Sequence, residues 1–288
     1  MIARKKSKKM KGNTPPIITS DTARTLLDGY NQISLDLGIS QVEVESNAGG
    51  VHFDNLFLDN ETLRKISQKK DSAFFITSRG VFQVAIHDKH YFKLVPTRGA
   101  PTLEIDGIRM HRTSDTTPDY DARAKLSSMG LVKGTIFDTC TGLGYTALEA
   151  QKRGASLVVT VELQPSVIRI AQMNPWSRGL FEGDIIHKVL GDSYYIADSF
   201  PGEFFNYVLH DPPRHRQAGK LYSEVFYRKL FRVMRQGGMM FHYTGEPRSR
   251  YRGVNFRKGV AKRLGAAGFT SIVYHPDFMG FTCTKGSV

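Results

Sequence analysis

Four acidic residues recur through the second half of the chain, each closing a short apolar run: Asp138, Glu162, Asp192 and Asp211. Asp138 opens Asp138-Thr139-Cys140-Thr141-Gly142-Leu143-Gly144, which reads as a strand end entering a glycine turn and then a helix. Glycine lets backbone N–H groups approach a ligand closely, because no Cβ blocks the way. The dinucleotide fingerprint G-x-G-x-x-G carries three glycines. Here Cys140 stands two places after Asp138, and no third glycine follows three residues after Gly144. An acidic residue before the glycines repels a pyrophosphate and suits a positive amino group, which a carboxylate binds by a charge-assisted hydrogen bond. The pattern therefore favours an amino-acid-bearing nucleoside over NAD.

Glu162 follows at the end of the second strand, where a carboxylate about 20 residues beyond a glycine loop can accept both hydroxyls of a ribose. Asp192 ends Val189-Leu190-Gly191 and could accept from the exocyclic amino group of adenine; Asp and Gly are equally turn residues. Asp211-Pro212-Pro213-Arg214 ends the fourth strand. Two successive prolines cannot continue a ladder, so the chain turns out and presents carbonyls at the sheet edge. A carboxylate and a fixed carbonyl accept the two hydrogens of an amine, orient its lone pair and can take up a proton. The plain alternatives are an exposed strand-end glutamate and a loop breaker.

The elements that must carry these residues alternate from about residue 116 onward. Helices are expected over Asp119–Met129, Tyr145–Arg153, Pro165–Met173, Leu221–Met234 (stopping at Gly237-Gly238) and Val260–Ala267. Strands are expected at Ile136-Phe137, Leu157–Val161, His187–Leu190, Tyr207–His210, Met239–Tyr243, Ser271–Tyr274 and Phe278–Cys283. Repeated βα units with buried apolar strands imply a parallel sheet covered on both faces. Ligands of such sheets sit at the carboxyl ends of the strands, where all four acidic residues fall. Asn174-Pro175-Trp176 reads as a helix end.

Residues 15–115 read differently. A helix is expected from Asp21 to Leu37, with Ser20 as N-cap. A β-rich stretch follows, and Thr102–Ile105, Asp106-Gly107 and Ile108–His111 give a hairpin signal. This part is expected to be a small α+β domain that helps hold a substrate. Residues 1–14 are expected to be a disordered basic tail.

At 40% hydrophobic and 23% charged, the 288 residues have the composition of an ordinary globular protein. Two cysteines, Cys140 and Cys283, exclude a disulfide framework or a four-cysteine zinc site, and no metal is expected. No apolar run approaches the roughly 18 residues that span a bilayer, and no apolar stretch follows the basic start, so the expected location is cytoplasmic. The net charge of +13 points to a polyanionic partner, nucleic acid above all. A second basic concentration, His242 to Gly253, contains Tyr243, Arg248, Arg250 and Arg252; it reads as a loop suited to phosphates and base stacking.

As an ordered set, Asp138-Thr-Cys-Thr-Gly142-Leu-Gly144, Glu162, Asp192 and Asp211-Pro-Pro-Arg214 resemble motifs one to four of class I S-adenosylmethionine-dependent methyltransferases. The whole chain is similar to predicted archaeal methyltransferases of this kind. The resemblance implies an α/β, Rossmann-like seven-stranded methyltransferase domain over 116–288, preceded by the small α+β domain. It implies that Asp138, Thr139, Gly142 and Gly144 bind the methionine end of S-adenosyl-L-methionine, Glu162 the ribose and Asp192 the adenine. Asp211, Pro212, Pro213 and Arg214 resemble the [Asp/Asn]-Pro-Pro-aromatic motif of enzymes that methylate base nitrogens. Arg214 departs from that pattern, although a guanidinium plane also stacks on a base or meets a phosphate. The expected function is methylation of a base nitrogen in RNA, tRNA or rRNA. The rival is a small-molecule methyltransferase or aminopropyltransferase of the spermidine synthase type on a similar fold; a polyamine, however, wants an acidic pocket.

Overall fold

The protein is described from a computed structural model, which covers residues 15–53, 55–130, 132–215, 218–245 and 250–286, without the side chains of 250–254. The basic tail 1–14 and Arg248 lie outside the described residues. The chain forms two compact units. One takes in the residues up to Pro118 together with Arg169–Arg178, the other Asp119–Ile168 and the residues from Gly179 onward.

The first unit is built from short strands around two helices. Ile17–Thr19, Ala73–Thr77 and Gly80–Gln83 make an antiparallel sheet. Thr19, not Ser20, is the N-cap of the helix Ser20–Leu27, its hydroxyl accepting the Thr22 N–H at 3.2 Å. That helix stops ten residues short of the expected Leu37. Gly29 adopts φ 88°, and Gln32–Ile33 leaves as a strand paired with Val42–Glu43. Ile33 is buried in the same core as Ala23 and Leu26, so two elements facing one core produced an apparently helical spacing. A second helix, Asn60–Ser67, is capped by Asp59.

Ala85–His87, Tyr91–Val95, Thr102–Ile105 and Ile108–Arg109 form a meander. Its last turn has Asp106 at φ 49° and Gly107 at φ 78°, the paired positive φ of a type I′ hairpin. The excursion Arg169–Arg178 joins this unit, and the Trp176 indole N–H donates to the Leu37 carbonyl at 3.0 Å. Asn174 ends the preceding helix, its side chain accepting the Trp176 N–H.

The second unit is organised on seven strands: β1 Gly134–Asp138, β2 Ala155–Glu162, β3 Ile186–Leu190, β4 Phe205–His210, β5 Met234–Tyr243, β6 Phe269–His275 and β7 Gly280–Lys285. Their order is β3-β2-β1-β4-β5-β7-β6, parallel except for β7, which runs antiparallel to β5 and β6. This is the Rossmann-like seven-stranded architecture of class I methyltransferases, an α/β fold. The helices are α1 Pro118–Ser127, α2 Tyr145–Lys152, α3 Pro165–Met173, α4 Ser193–Ile196, α5 Glu224–Val233 and α6 Arg250–Ala266. Phe137, Phe205, Val208 and Met240 from the sheet pack with Phe226, Leu230 and Val233 of α5 in the core. The order reverses between β1 and β4, the switch point at which such sheets open a crevice.

Three expectations need correction here. The segment expected as one helix over Leu221–Met234 is a short 3-10 turn, Gly219–Tyr222, followed by α5, which Ser223 caps through the Phe226 N–H. Strand β5 begins at Met234, so Gly237 and Gly238 lie inside it. Gly237 has φ 72°, and a Cβ on Gly238 would stand 2.9 Å from the Asn206 carbonyl oxygen. The glycines absorb a register shift against β4 rather than ending a helix. Finally, Arg250 and Arg252 belong to the backbone of α6, not to a loop; Gly253 and Gly259 are carried inside that helix at the usual cost of about 1 kcal/mol each.

Candidate functional site

Asp138 ends β1 with no solvent exposure. Its Oδ2 accepts the Thr160 hydroxyl at 2.8 Å and the Thr146 hydroxyl at 3.3 Å. Since Thr160 donates to Asp138, Thr141 in turn donates to Thr160, at 2.7 Å. A buried hydroxyl chain thus links the glycine turn, β2 and the carboxylate. Oδ1 of Asp138 is enclosed and has no hydrogen-bond partner among the described residues. Leaving such an oxygen unsatisfied costs about 1–3 kcal/mol, and the chemistry that relieves it is a donor, best of all a cation. Burial pushes the Asp138 carboxyl up to about 7, with the neighbouring Asp211 charge adding and the threonine bonds opposing. The turn is tight: Gly142 and Gly144 have φ 53° and 80°, and a Cβ on Gly144 would meet Leu180 at 2.7 Å. Thr139 faces elsewhere. It is buried and its hydroxyl bonds His210.

Glu162 ends β2 beside that turn. One oxygen accepts the Gly142 N–H at 2.9 Å and the other the Gln164 N–H at 3.0 Å, so the carboxylate fixes the glycine backbone. Burial raises its pKa. Asp192 caps α4, accepting the Tyr194 N–H at 2.9 Å. Asp138, Gly142, Gly144 and Glu162 are therefore brought together directly, and Asp192 lies at the next strand end.

Asp138 is in register with Leu209 of β4, which puts Asp211 two residues further on along the neighbouring strand. Asp211 Oδ2 bonds the Lys125 ammonium at 2.6 Å. Lys125, in α1, also pairs with Asp121 one turn earlier at 2.8 Å, and its nitrogen stands 4.5 Å from the centre of the Tyr243 ring. The Lys125 side chain is 6% exposed and that of Asp211 22%. The two carboxylates outweigh burial and hold the Lys125 ammonium well above its ordinary range; burial raises Asp211 while Lys125 pulls it back. Pro212 is buried, Pro213 and Arg214 exposed, and the Pro213 carbonyl accepts the Tyr222 hydroxyl at 3.0 Å, anchoring the turn.

Behind the strand ends, His210 of β4 and His242 of β5 are register partners. The Leu221 carbonyl can only accept, so His210 carries its proton on Nε2 and Nδ1 accepts from Thr139. His242 Nε2 accepts the Tyr227 hydroxyl at 2.8 Å. Both rings are kept neutral by burial, His210 down to about 3 and His242 well below its usual value.

Sequence reasoning missed Lys125, Asp121, Thr160 and this histidine pair. The signal for the first two was present as an acid–base pair four residues apart on a helix, but such pairs are ordinarily solvent-exposed. Cys140 and Cys283 are free, and burial pushes both thiols far above the nucleophilic range. Among the described residues no cluster of three or more His, Cys, Asp or Glu could hold a metal ion. No helix among them is long and apolar enough to cross a membrane.

Residues 122–271 match the model of a family described as Conserved hypothetical protein 95. The uncharacterized protein MJ1233 of Methanocaldococcus jannaschii is 40% identical over 276 residues, 93% of this chain and 95% of that protein. The chain belongs to this family. Beyond it, a polyamine aminopropyltransferase of Mycobacterium tuberculosis is 26% identical over 203 residues, 67% of this chain and 38% of that protein. Spermidine synthase of Thermotoga maritima shares the fold, with a TM-score of 0.54 and 18% identity over 70% of this chain and 72% of its own. The fold is thus one that spermidine synthase also has.

Proposed function

We propose that the protein is an S-adenosyl-L-methionine-dependent methyltransferase that modifies a base nitrogen in RNA, tRNA or rRNA, in the cytoplasm. The observation that carries the reading is the pair of carboxylates at adjoining strand ends: the buried Asp138 with an unsatisfied oxygen, and the partly exposed Asp211 on a proline turn. In this reading Asp138, Gly142 and Gly144 hold the methionine end, Glu162 the ribose and Asp192 the adenine. The bound nucleoside supplies a methyl group on a cationic sulfur, already activated for transfer. Asp211 accepts a hydrogen of the target nitrogen, aims its lone pair and takes up the proton released, with the Pro212 carbonyl as second acceptor. Holding the nitrogen in line supplies most of the rate. Arg214, exposed beside the turn, together with Tyr243, Arg248, Arg250 and Arg252, serves the RNA backbone and bases, and residues 15–115 help hold the substrate.

The net charge of +13 supports a polyanionic partner. So does the Lys125 ammonium 2.6 Å from Asp211, which offsets the charge that a polycationic acceptor would seek. The similarity to polyamine aminopropyltransferases favours a second reading, aminopropyl transfer to an amine. Purified protein, radiolabelled S-adenosylmethionine and total RNA from cells lacking the gene, with wild-type RNA as control, separate the two. Label entering only the deletion-strain RNA supports the first reading. Turnover of a polyamine with the decarboxylated nucleoside and no RNA supports the second.

A further inference from the structure

We infer that Lys125 is the positioning residue of this site: its ammonium, clamped by Asp121 and set against the Tyr243 ring, keeps Asp211 ionised and fixed, with Oδ2 engaged and Oδ1 left for the acceptor nitrogen. The inference rests on the reading of Asp211 as that acceptor. A buried ammonium is costly to desolvate, and a well-packed apolar side chain would hold α1 on the sheet at least as well. Lys125 stands next to Leu126, which is fully buried, so the helix already has its apolar anchor. The charge therefore serves the strand end rather than the packing.

The groups around Asp211 and its Lys125 partner make this specific. Lys125 and Asp121 approach from α1, Asp138 from β1, Cys140 from the glycine turn, Tyr222 from the 3-10 turn and Tyr243 from the end of β5. Among these described residues Lys125 is the cation. Without that ammonium, the buried Asp138 and the partly exposed Asp211 would face each other across adjoining strand ends, and mutual repulsion with desolvation would favour protonating one of them. A protonated Asp211 could neither accept a hydrogen bond through both oxygens nor take up a proton. With it, the trio Asp121–Lys125–Asp211 carries a single net negative charge and presents a carboxylate of modest basicity. Such a group suits a nitrogen that arrives uncharged, as an exocyclic or ring nitrogen of a base does, better than an aliphatic ammonium that must first be deprotonated.

The test uses the full chain labelled with [13C]aspartate, the Asp211 carboxyl signal being assigned by its loss in Asp211→Asn. In Lys125→Met its titration midpoint should rise by about one unit or more, a tenfold or greater change in ionisation. Methyl transfer to deletion-strain RNA should fall at least about tenfold at pH 7 and recover in part toward pH 9. The dissociation constant for S-adenosylmethionine should stay within about threefold, and Lys125→Arg should restore part of both changes. If Lys125→Met does not fold, Asp121→Asn/Lys125→Met removes the carboxylate it strands and gives the same reading. An Asp211 midpoint unchanged in the lysine variant overturns the inference. If the wild-type protein fails to label RNA while Lys125→Met still shows the midpoint shift, the RNA reading is overturned and the role of Lys125 stands.

Discussion

His210 and His242 lie side by side on β4 and β5 with ring centres 4.3 Å apart, both fully buried and both neutral. A histidine held down to about 3 in the folded chain takes up its proton near 6.5 once unfolded. Its stabilising contribution is whole above 6.5 and is lost as the pH falls toward 3, because the unfolded chain then binds more protons. Each such histidine can remove up to about 1.4 kcal/mol per pH unit in that window. Scanning calorimetry should show Tm falling between pH 7 and 5, and His210→Gln should flatten that slope.

Asp138 works in the opposite direction. Its carboxyl, pushed up to about 7, is stabilised folded only while protonated, so its contribution fades as the pH rises from 3.8 through 7. A ligand ammonium at Oδ1 reverses the preference and expels the proton. S-adenosylmethionine should therefore bind up to about tenfold more tightly per pH unit up to pH 7 and level off above it. Calorimetry at pH 6 in buffers of different ionisation enthalpy should register the released proton, and Asp138→Asn should remove the pH dependence.

Asp211→Ala should abolish methyl transfer while the affinity for S-adenosylmethionine stays within a few fold. Wild-type turnover in that variant would place the chemistry elsewhere.

Gly144→Ala meets both a positive φ of 80° and the Leu180 side chain at 2.7 Å. The strained conformation alone costs of order 1–3 kcal/mol. Denaturant unfolding should show that loss, accompanied by weaker nucleoside binding, whereas Gly154→Ala, open around its Cβ, should show the strain alone.

The parallel sheet and the acidic residues at its strand ends were legible because apolar runs and punctuating glycines are local signals. Asp138, Glu162 and Asp211 fall where the spacing placed them. Lys125 was not legible, since its partner Asp211 is 86 residues away and only the packing of α1 brings them together. The end of the first helix was misplaced because Ile33 continues the helical spacing of Ala23, Leu26 and Tyr30 while lying on a different element, the strand Gln32–Ile33. Gly237-Gly238 looked like a terminator; the close approach of the Asn206 backbone, invisible in one dimension, is what requires glycine there.

The passage of Arg169–Arg178 into the first unit has a practical consequence for anyone dissecting this molecule. Cutting the chain at Pro118 would not release a self-sufficient C-terminal half: it would strip Trp176 of the Leu37 carbonyl and leave ten residues in search of a scaffold. Exchanging the first unit for another should therefore leave that segment unsupported. The same indole, the one tryptophan of the chain, makes its emission a built-in gauge of whether the first unit is intact.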